Sequence, residues 1–176
     1  AGISSDPHAV LPSSTGVIGH FLPMEKLRAG IPHVAAKLAD GAEAGAAFAQ
    51  GILTTDLVAK TACTIVKLGG KTVTVAGCCK GSGMIAPNMA TMLAYIATDA
   101  AIDQRALRSV LGTVADQTFN CVTVDQHTST SDTLAVLANG RAENRKIIGG
   151  ADLKKFAAAL REVSDSLARQ IARDGE

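Results

Sequence analysis

Two short runs of alternating residues, joined by a pair of glycines, constrain the fold of this chain more than any other feature. They form the segment ACTIVKLGGKTVTVAG, in which one run ends at Leu68 and the next begins at Lys71. β-Branched side chains dominate both runs, as is usual in strands. The pair Gly69-Gly70 supplies two residues that adopt positive φ without steric cost. The segment therefore predicts an antiparallel β-hairpin with a primed two-residue turn.

The other segments mix helical and extended patterns without a regular βαβ rhythm, which predicts a layered α+β fold of sheet and helices. Asp103 precedes the third helical segment as a candidate N-cap. No repeat or linker divides the chain, so residues 1–176 are predicted to form a single domain. Helices are predicted at 24–29, 31–48, 103–118 and 151–173, strands at 89–98, FNCVTVDQ and TLAVLANG, and loops at 1–14 and 80–88.

The composition limits the classes of function. Hydrophobic residues make up 47% of the chain and charged residues 19%, which is typical of a globular protein with a core. A net charge of +1 gives no electrostatic basis for binding nucleic acid or an anionic membrane. Aromatic residues are only 3%, which leaves little surface for base stacking. No apolar run reaches the ~18 residues of a membrane span, and no signal peptide is recognisable.

The cysteines favour neither a zinc site nor a disulfide framework. Cys63, Cys78, Cys79 and Cys121 contain no C-x-x-C spacing. We expect them to be buried small residues in a reducing compartment. The chain starts without a methionine and stops where its last helix ends, so we expect both ends to be cuts within a longer protein.

Several polar motifs have an ordinary structural interpretation when each is taken alone. Lys80 precedes the GSG run rather than following it, so the pattern is not a P-loop, and a lone lysine is usually solvated. The run HTSTSD at 127–132 contains the residue types of a hydrolytic triad, but such runs are more often turns. Thr54 and Thr55 suit an N-cap or a strand end.

Thr91 offers a more specific chemistry, because it lies between a glycine-broken loop and an apolar strand in KGSGMIAPNMATMLAYIATDA. Its hydroxyl can attack the carbonyl of Ala90 and convert the peptide bond into an ester that water hydrolyses. The new N-terminal threonine then carries its own base, an α-amino group with an unperturbed pKa of about 7.7–8.0. A base with that pKa activates a hydroxyl nucleophile without a histidine.

Together these motifs resemble the ornithine acetyltransferase (glutamate N-acetyltransferase) family of arginine biosynthesis. The segments that carry the resemblance are, in order, SSTGVIGHFLPMEKL, ILTTD, KGSGMIAPNMATMLAYIATDA, FNCVTVDQHTSTSDT and the terminal DGE. They span nearly the whole chain. The run K-G-[SA]-G-M-[IL]-x-P-x-[ML]-A-T-[ML]-L is highly specific.

The resemblance implies a self-processing, N-terminal-nucleophile-like fold that is incomplete in this chain. It implies cleavage between Ala90 and Thr91, so that residues 1–90 end an α chain and residues 91–176 begin a β chain. The implied reaction moves an acetyl group from N2-acetylornithine to glutamate through an acetyl-threonine intermediate, with ping-pong kinetics.

The resemblance also assigns residues. The oxyanion hole falls on Thr15 and Gly16, the threonine and glycine of the STG turn. The substrate contacts fall on Thr54, Lys80, the nucleophile Thr91 itself and Glu176.

The implied reaction needs no metal and no cofactor, although some members of the family also use acetyl-CoA as acetyl donor. The implied partners are the two small-molecule substrates, and the α and β chains of one precursor in αβ pairs or larger oligomers, in the cytoplasm. Two alternatives stay open: an N-terminal-nucleophile amidohydrolase or aminopeptidase, which gives its acyl group to water, and a non-catalytic fragment. Dependence on the acyl acceptor separates the first from a transferase, and ligand binding separates the second.

Overall fold

The computed structural model describes residues 6, 8, 10–15, 19–85, 92–127 and 131–175, which form a mixed α+β fold. A single four-stranded sheet has the order β1-β2-β3-β4 in this part of the chain. Neighbouring strands pair antiparallel except β3 and β4, which run parallel. The strands are β1 (Lys60–Leu68), β2 (Lys71–Lys80), β3 (Leu93–Thr98) and β4 (Thr133–Ala138). The α+β prediction is confirmed.

The hairpin prediction is also confirmed. Strands β1 and β2 pair in register from Lys60 opposite Cys79 to Leu68 opposite Lys71. Gly69 and Gly70 have φ values of 56° and 80°. Both lie in the left-handed region that a primed hairpin turn requires, so the glycine pair sets the register of the two strands.

Four α-helices accompany the sheet: α1 (Met24–Ala36), α2 (Ala42–Gly51), α3 (Gln104–Gln117) and α4 (Gly150–Arg173). The carboxylate of Asp103 caps α3 by accepting hydrogen bonds from the backbone N–H groups of Arg105 at 2.9 Å and Ala106 at 3.3 Å. Helices α3 and α4 therefore match their predictions in place and, for α3, in the residue that starts it. No helix among the described residues is both long and apolar enough to cross a lipid bilayer.

The predicted boundary between the first two helices was wrong. Helix α1 continues through Gly30 and Pro32 to Ala36. A glycine within a helix costs only about 1 kcal/mol, so it does not by itself end one. The break falls later, over residues 37–41: α1 has its C-cap at Lys37, and α2 follows Gly41, whose φ of 98° is incompatible with a helix.

The strand predicted for FNCVTVDQ was also wrong. Phe119–Cys121 forms one turn of 3₁₀ helix, and the residues that follow are irregular. Phe119 is buried in the core with Val122 and Val124 packed against it, so the apolar alternation reflects packing of a loop. The strand predicted at 89–98 begins only at Leu93, and its first three residues lie outside the described ones.

The core lies between the sheet and α4. One face of β2 and β3 supplies buried side chains, and α4 lays a continuous apolar stripe across it. Helix α3 packs beside α4, so the two longest described helices share a layer. The buried members are Val73, Val75 and Cys79 of β2, Ala94 and Ile96 of β3, and Phe156, Leu160, Val163, Leu167 and Ile171 of α4.

The cysteines correct another prediction. All four are free thiols, and only Cys78 and Cys79 are buried. Cys63 and Cys121 are exposed. Cys63 lies on the outward side of β1, where alternate side chains point to solvent. Burial raises the pKa of the Cys79 thiol to about 12.

Candidate functional site

The sequence motifs converge at one end of the sheet. Strand β1 begins there and β2 ends there, because Lys60 pairs with Cys79. Strand β3 begins there as well, because Leu93 pairs with Lys80 on one side and with Thr133 of β4 on the other. The TTD, KGSGM and HTSTSD motifs adjoin the ends of these strands, as do the residues on either side of 86–91. The antiparallel and parallel strand pairings thus bring motifs that are far apart in the sequence to the same end of the sheet.

Two of these motifs are joined side by side. The hydroxyls of Thr55 and Ser82 lie 2.7 Å apart in a hydrogen bond. The carboxylate of Asp56 accepts the backbone N–H of Gly81 at 2.6 Å and the backbone N–H of Thr54 at 3.3 Å. Residues 54–56 therefore run alongside residues 80–82, and the predicted substrate contacts Thr54 and Lys80 belong to one structural unit.

A buried ion cluster lies behind this unit. Lys60 is 0% exposed, and its ammonium donates to Asp56 at 2.7 Å and to Asp174 at 2.5 Å. A third, longer contact of 3.4 Å reaches the carbonyl of Val58. Asp174 also accepts the backbone N–H of Leu57 at 3.1 Å. The cluster thus ties the end of α4 to the loop that carries the TTD motif.

The pKa values in the cluster follow from these contacts. Burial alone would raise the pKa of Asp56, but the Gly81 N–H and the Lys60 ammonium outweigh it and hold the pKa below 3.8. Burial would lower the pKa of Lys60, and its hydrogen bonds to Asp174 and Asp56 raise it above 10.5 instead. The hydrogen bond from Lys60 likewise lowers the pKa of Asp174, so all three groups are charged at neutral pH.

Lys80 contrasts with Lys60. It is 3% exposed, so the interpretation as a solvated surface lysine was wrong. Among the described residues no carboxylate lies within 4.0 Å of its ammonium. Burial lowers the pKa of Lys80, Asp56 partly offsets this, and the like charge of Lys60 adds to the lowering. A buried cation in this state favours an anionic partner from outside the described residues.

Two further aspartates hold the backbone on both sides of residues 86–91. Asp125 accepts the backbone N–H groups of Met84 at 2.5 Å and Ile85 at 2.9 Å. Asp132 accepts the backbone N–H of Met92 at 2.6 Å. The second oxygen of Asp132, Oδ2, is buried and has no hydrogen-bond partner among the described residues. Burial raises the pKa of Asp132 above 3.8, against the lowering effect of the Met92 N–H.

The described residues do not assemble the hydrolytic triad that the HTSTSD run contains by composition. The side chain of His127 is 76% exposed, and its Nδ1 lies 3.7 Å from Asp125 rather than beside Asp132. Asp132 instead serves the backbone at the start of β3. Ser129 lies outside the described residues.

The segment that carries Thr15 reaches β3. The hydroxyl of Ser13 is hydrogen-bonded to the phenol of Tyr95. Phe48 of α2 packs edge-on against the same ring, with centroids 5.3 Å apart. Thr15 is half-buried, two residues beyond this contact. Ser13, two residues before the predicted oxyanion-hole residue Thr15, thus contacts β3, the strand that follows Thr91.

The predicted site residues divide into two groups. Thr15, Thr54 and Lys80 are described and lie half-buried, exposed and buried, respectively. The other four lie outside the described residues, so their assignments stay predictions: Gly16, Ala90, Thr91 and Glu176.

The sequence interpretation missed the residues that hold these motifs together. Asp56 is the aspartate of the TTD motif. The contact between this motif and the KGS segment is the only nearby feature that indicates the role of Asp56. Lys60 and Asp174 are 114 positions apart, so no spacing pattern joins them. They could have been noticed only as charged residues next to otherwise apolar segments.

Neither the remaining cavity nor a metal site gives a second candidate for the functional site among the described residues. A groove of about 320 Å³ between α3 and α4 is lined by Val110, Val114 and Arg161 among others, and by none of the predicted site residues. Within the described ranges, no group of three or more His, Cys, Asp and Glu side chains could hold a metal ion.

The fold and the site together define this chain as an α+β protein whose motif-bearing loops gather at one end of a four-stranded sheet. Comparison with known proteins then gives the family. A model of the ArgJ family matches residues 1–176, and the chain belongs to that family. The resemblance to the arginine-biosynthesis family of ornithine acetyltransferases is thereby confirmed.

Individual relatives of the chain carry the name of the same family. The arginine biosynthesis bifunctional protein ArgJ of Geobacillus kaustophilus is 51% identical over 172 residues, which is 96% of this chain and 41% of the relative. The protein of the same name from Bacillus subtilis is 49% identical over 173 residues, with 97% and 41% covered. A crystal structure of the argJ protein of Bacillus halodurans has 45% identity and a TM-score of 0.48, over 49% of this chain and 41% of that one. The chain thus spans about two fifths of the length of these relatives.

Proposed function

We propose that this chain supplies the nucleophile and part of the substrate site of an enzyme that transfers an acetyl group from N2-acetylornithine to glutamate. The observation that carries the proposal is the convergence of the motifs at one end of the sheet, around the buried residue Lys80, whose ammonium has no carboxylate within 4.0 Å among the described residues. Family membership supports the arginine-biosynthesis context, since the relatives are named for it.

Self-cleavage comes first in the proposed sequence. The Thr91 hydroxyl attacks the carbonyl carbon of Ala90, the C–N bond breaks, and the departing nitrogen takes up a proton. The resulting ester is hydrolysed by water, which leaves a carboxylate on Ala90 and a free α-amino group on Thr91. The hydrogen bonds from Ile85 to Asp125 and from Met92 to Asp132 support this step, because they hold the chain on both sides of the junction.

Acetyl transfer follows. Thr91 Oγ attacks the acetyl carbonyl of N2-acetylornithine, and its α-amino group accepts the hydroxyl proton. Thr15 Oγ and the Gly16 N–H stabilise the oxyanion; loss of one such donor typically costs about 100- to 1000-fold in rate. The amide C–N bond breaks and ornithine leaves with the proton. The amine of glutamate then attacks acetyl-Thr91 and regenerates the hydroxyl.

Charge assigns the substrate contacts. The ammonium of Lys80 suits the α-carboxylate that acetylornithine and glutamate share. Glu176 suits the cationic side-chain amine of ornithine, and exposed Thr54 adds a hydroxyl from the TTD motif. Because the relatives are named bifunctional, we include acetyl-CoA as a second acetyl donor in the proposal. The proposed assembly is an αβ pair or larger oligomer in the cytoplasm, without nucleic acid or membrane.

The test uses the full-length protein and its Thr91→Ala variant. Intact mass and N-terminal sequencing should show two fragments in the wild type, one beginning with Thr91, and one uncut chain in the variant. Acetyl-labelled acetylornithine should pass its label to glutamate only in the wild type. Thr72→Ala, an exposed threonine on β2, is the matched control and should behave as wild type.

Other results would change the assignment. Transfer retained in Thr91→Ala would reject Thr91 as the nucleophile. Label released to water with no preference for glutamate would indicate an amidohydrolase. Absence of both binding and transfer by the wild type would indicate a non-catalytic chain.

A further inference from the structure

Two lysines at the same end of the sheet are buried in opposite electrostatic states. Lys60 is 0% exposed and contacts two carboxylates. Lys80 is 3% exposed, and no described carboxylate lies within 4.0 Å of it. A buried ammonium normally has a partner, because an unpaired one is costly. The difference between the two lysines therefore calls for a physical reason.

Asp56 is the group that both lysines sense. Its Oδ1 lies 2.7 Å from the Lys60 ammonium and 2.6 Å from the backbone nitrogen of Gly81, the residue after Lys80. Its charge also acts on Lys80, where it offsets part of the lowering of the pKa that burial causes. Asp56 contacts the backbone next to Lys80, and its charge raises the pKa of Lys80, so it is the carboxylate that we expect to pair with Lys80 if its present partner were removed.

Each N–H donor of the Lys60 ammonium has an acceptor. An ammonium has three N–H donors, and Lys60 directs them to Asp56, Asp174 and the carbonyl of Val58. Asp174 adds the charge that keeps Lys60 in place and is itself fixed by the N–H of Leu57. The ion pair of Lys60 with Asp56 is therefore stabilised at both ends, by Asp174 at Lys60 and by the Gly81 N–H at Asp56.

We propose that Lys60 is a positioning residue for substrate binding: by occupying Asp56 it keeps that carboxylate from pairing with Lys80, whose ammonium stays available for a substrate carboxylate. The inference rests on the proposed function, in which Lys80 binds the α-carboxylate. It adds that this availability is set by a residue that does not touch the substrate.

The charges of the cluster give a sharp test. Lys60, Asp56 and Asp174 together carry a net formal charge of −1. Lys60→Met makes that charge −2 and frees Asp56 to pair with Lys80. The double variant Lys60→Met/Asp56→Asn returns the charge to −1 and removes the competing carboxylate. An asparagine oxygen at position 56 can still accept the Gly81 N–H.

The first measurement is the KM and kcat of acetyl transfer by the full-length enzyme. We expect Lys60→Met to raise the KM for acetylornithine at least about tenfold, with a smaller effect on kcat, since ground-state binding is lost. We expect the double variant to return the KM to within about threefold of wild type. Lys146→Met removes an exposed lysine and should leave both constants unchanged.

A purely structural role for Lys60 predicts the opposite order. The double variant would then be as impaired as Lys60→Met or worse, and that result would overturn the proposal. So would a wild-type KM in Lys60→Met. If circular dichroism shows that Lys60→Met does not fold, Lys60→Gln, which keeps donors for Asp174 without the charge, takes its place under the same criteria.

The second measurement does not depend on acetyl transfer. Trace labelling with acetic anhydride, read by peptide mass spectrometry, reports how readily each lysine loses its proton. Lys80 should label more slowly at pH 9 in Lys60→Met than in wild type, because pairing with Asp56 stabilises the ammonium. The double variant should restore the rate. An inactive wild-type enzyme that shows this pattern would reject the proposed function and retain the Lys60–Asp56–Lys80 relationship, whereas unchanged labelling would reject the relationship.

Discussion

Lys80 and Asp132 are two charged residues that the described residues leave incompletely paired. The ammonium of Lys80 has no described carboxylate within 4.0 Å, and Oδ2 of Asp132 has no described hydrogen-bond partner. Each lies next to the end of a strand, on either side of residues 86–91. Groups of this kind cost stability and are concentrated at functional sites. These two groups lie at the same end of the sheet as the motifs, whereas the other described buried atoms without a partner, Asn120 Oδ1 and Ser164 Oγ, lie in the 3₁₀ turn and in α4.

The carboxyl of Asp132 should leave a signature in the pH dependence of stability. Its pKa is raised by burial, so between pH 3.8 and that higher value the folded state binds more protons than the unfolded state. Stability then falls as pH rises through this window. Asp132→Asn should remove this contribution while its amide oxygen still accepts the Met92 N–H. Urea denaturation of both proteins at several pH values gives the difference, in which other carboxylates cancel.

Asp132→Ala is the companion variant, because it removes the acceptor as well as the charge. We expect a loss of about 1–3 kcal/mol at pH 4, where Asp132→Asn should be close to wild type, since the Met92 N–H loses its partner. Equal stability of the alanine and asparagine variants at pH 4 would show that the hydrogen bond contributes nothing.

At the scale of elements, the turn between β1 and β2 depends on its glycines. Gly70 has a φ of 80°, which an L-alanine adopts at a cost of roughly 1–2 kcal/mol. Gly70→Ala should therefore lower the free energy of unfolding by about that amount. Gly112→Ala is the matched control, since a Cβ there meets nothing within 4 Å in helix α3. That change should raise the free energy of unfolding by about 0.5–1 kcal/mol, and an unchanged free energy of unfolding in Gly70→Ala would contradict the assignment of the primed turn.

Elements with a complete local signal could be predicted from the sequence. The Gly-Gly turn, the Asp103 cap and the apolar stripe of α4 each lie within a few residues of what they determine. Helix α1 was predicted to end too early because a glycine was given more weight than the residues around it. The segment FNCVTVDQ was predicted as a strand because alternation is the same whether the partner is a sheet or a packed core.

The arrangement of the site could be predicted only in part. The motifs named its residues, but their convergence depends on strand order and on the parallel pairing of β4 with β3. Burial of Lys80 and the bond between Lys60 and Asp174 are likewise contacts between distant positions. Such contacts leave no periodicity or spacing in a single sequence.

At the scale of the whole molecule, the reactivity of the four thiols shows which parts of the described surface are accessible to solvent. Cys63 and Cys121 are exposed, and Cys78 and Cys79 are buried with raised pKa values. Because the thiolate is the reactive form, two thiols of the folded 176-residue chain should react rapidly with Ellman's reagent, and four should react in denaturant. Cys63→Ser/Cys121→Ser should leave none that reacts rapidly in the folded state. A third fast thiol would mean that the face of β2 bearing Cys78 is open.

The order of the strands has a consequence for what a cut between residues 90 and 91 would do. Such a cut would leave β1 and β2 on one product and β3, β4 and α4 on the other. The ladder between β2 and β3, the packing of α4 on β1 and the ion pair of Lys60 with Asp174 would all join the two products. The folded particle would persist as a two-chain complex. Refolding would become a second-order reaction, with a midpoint of unfolding that depends on protein concentration.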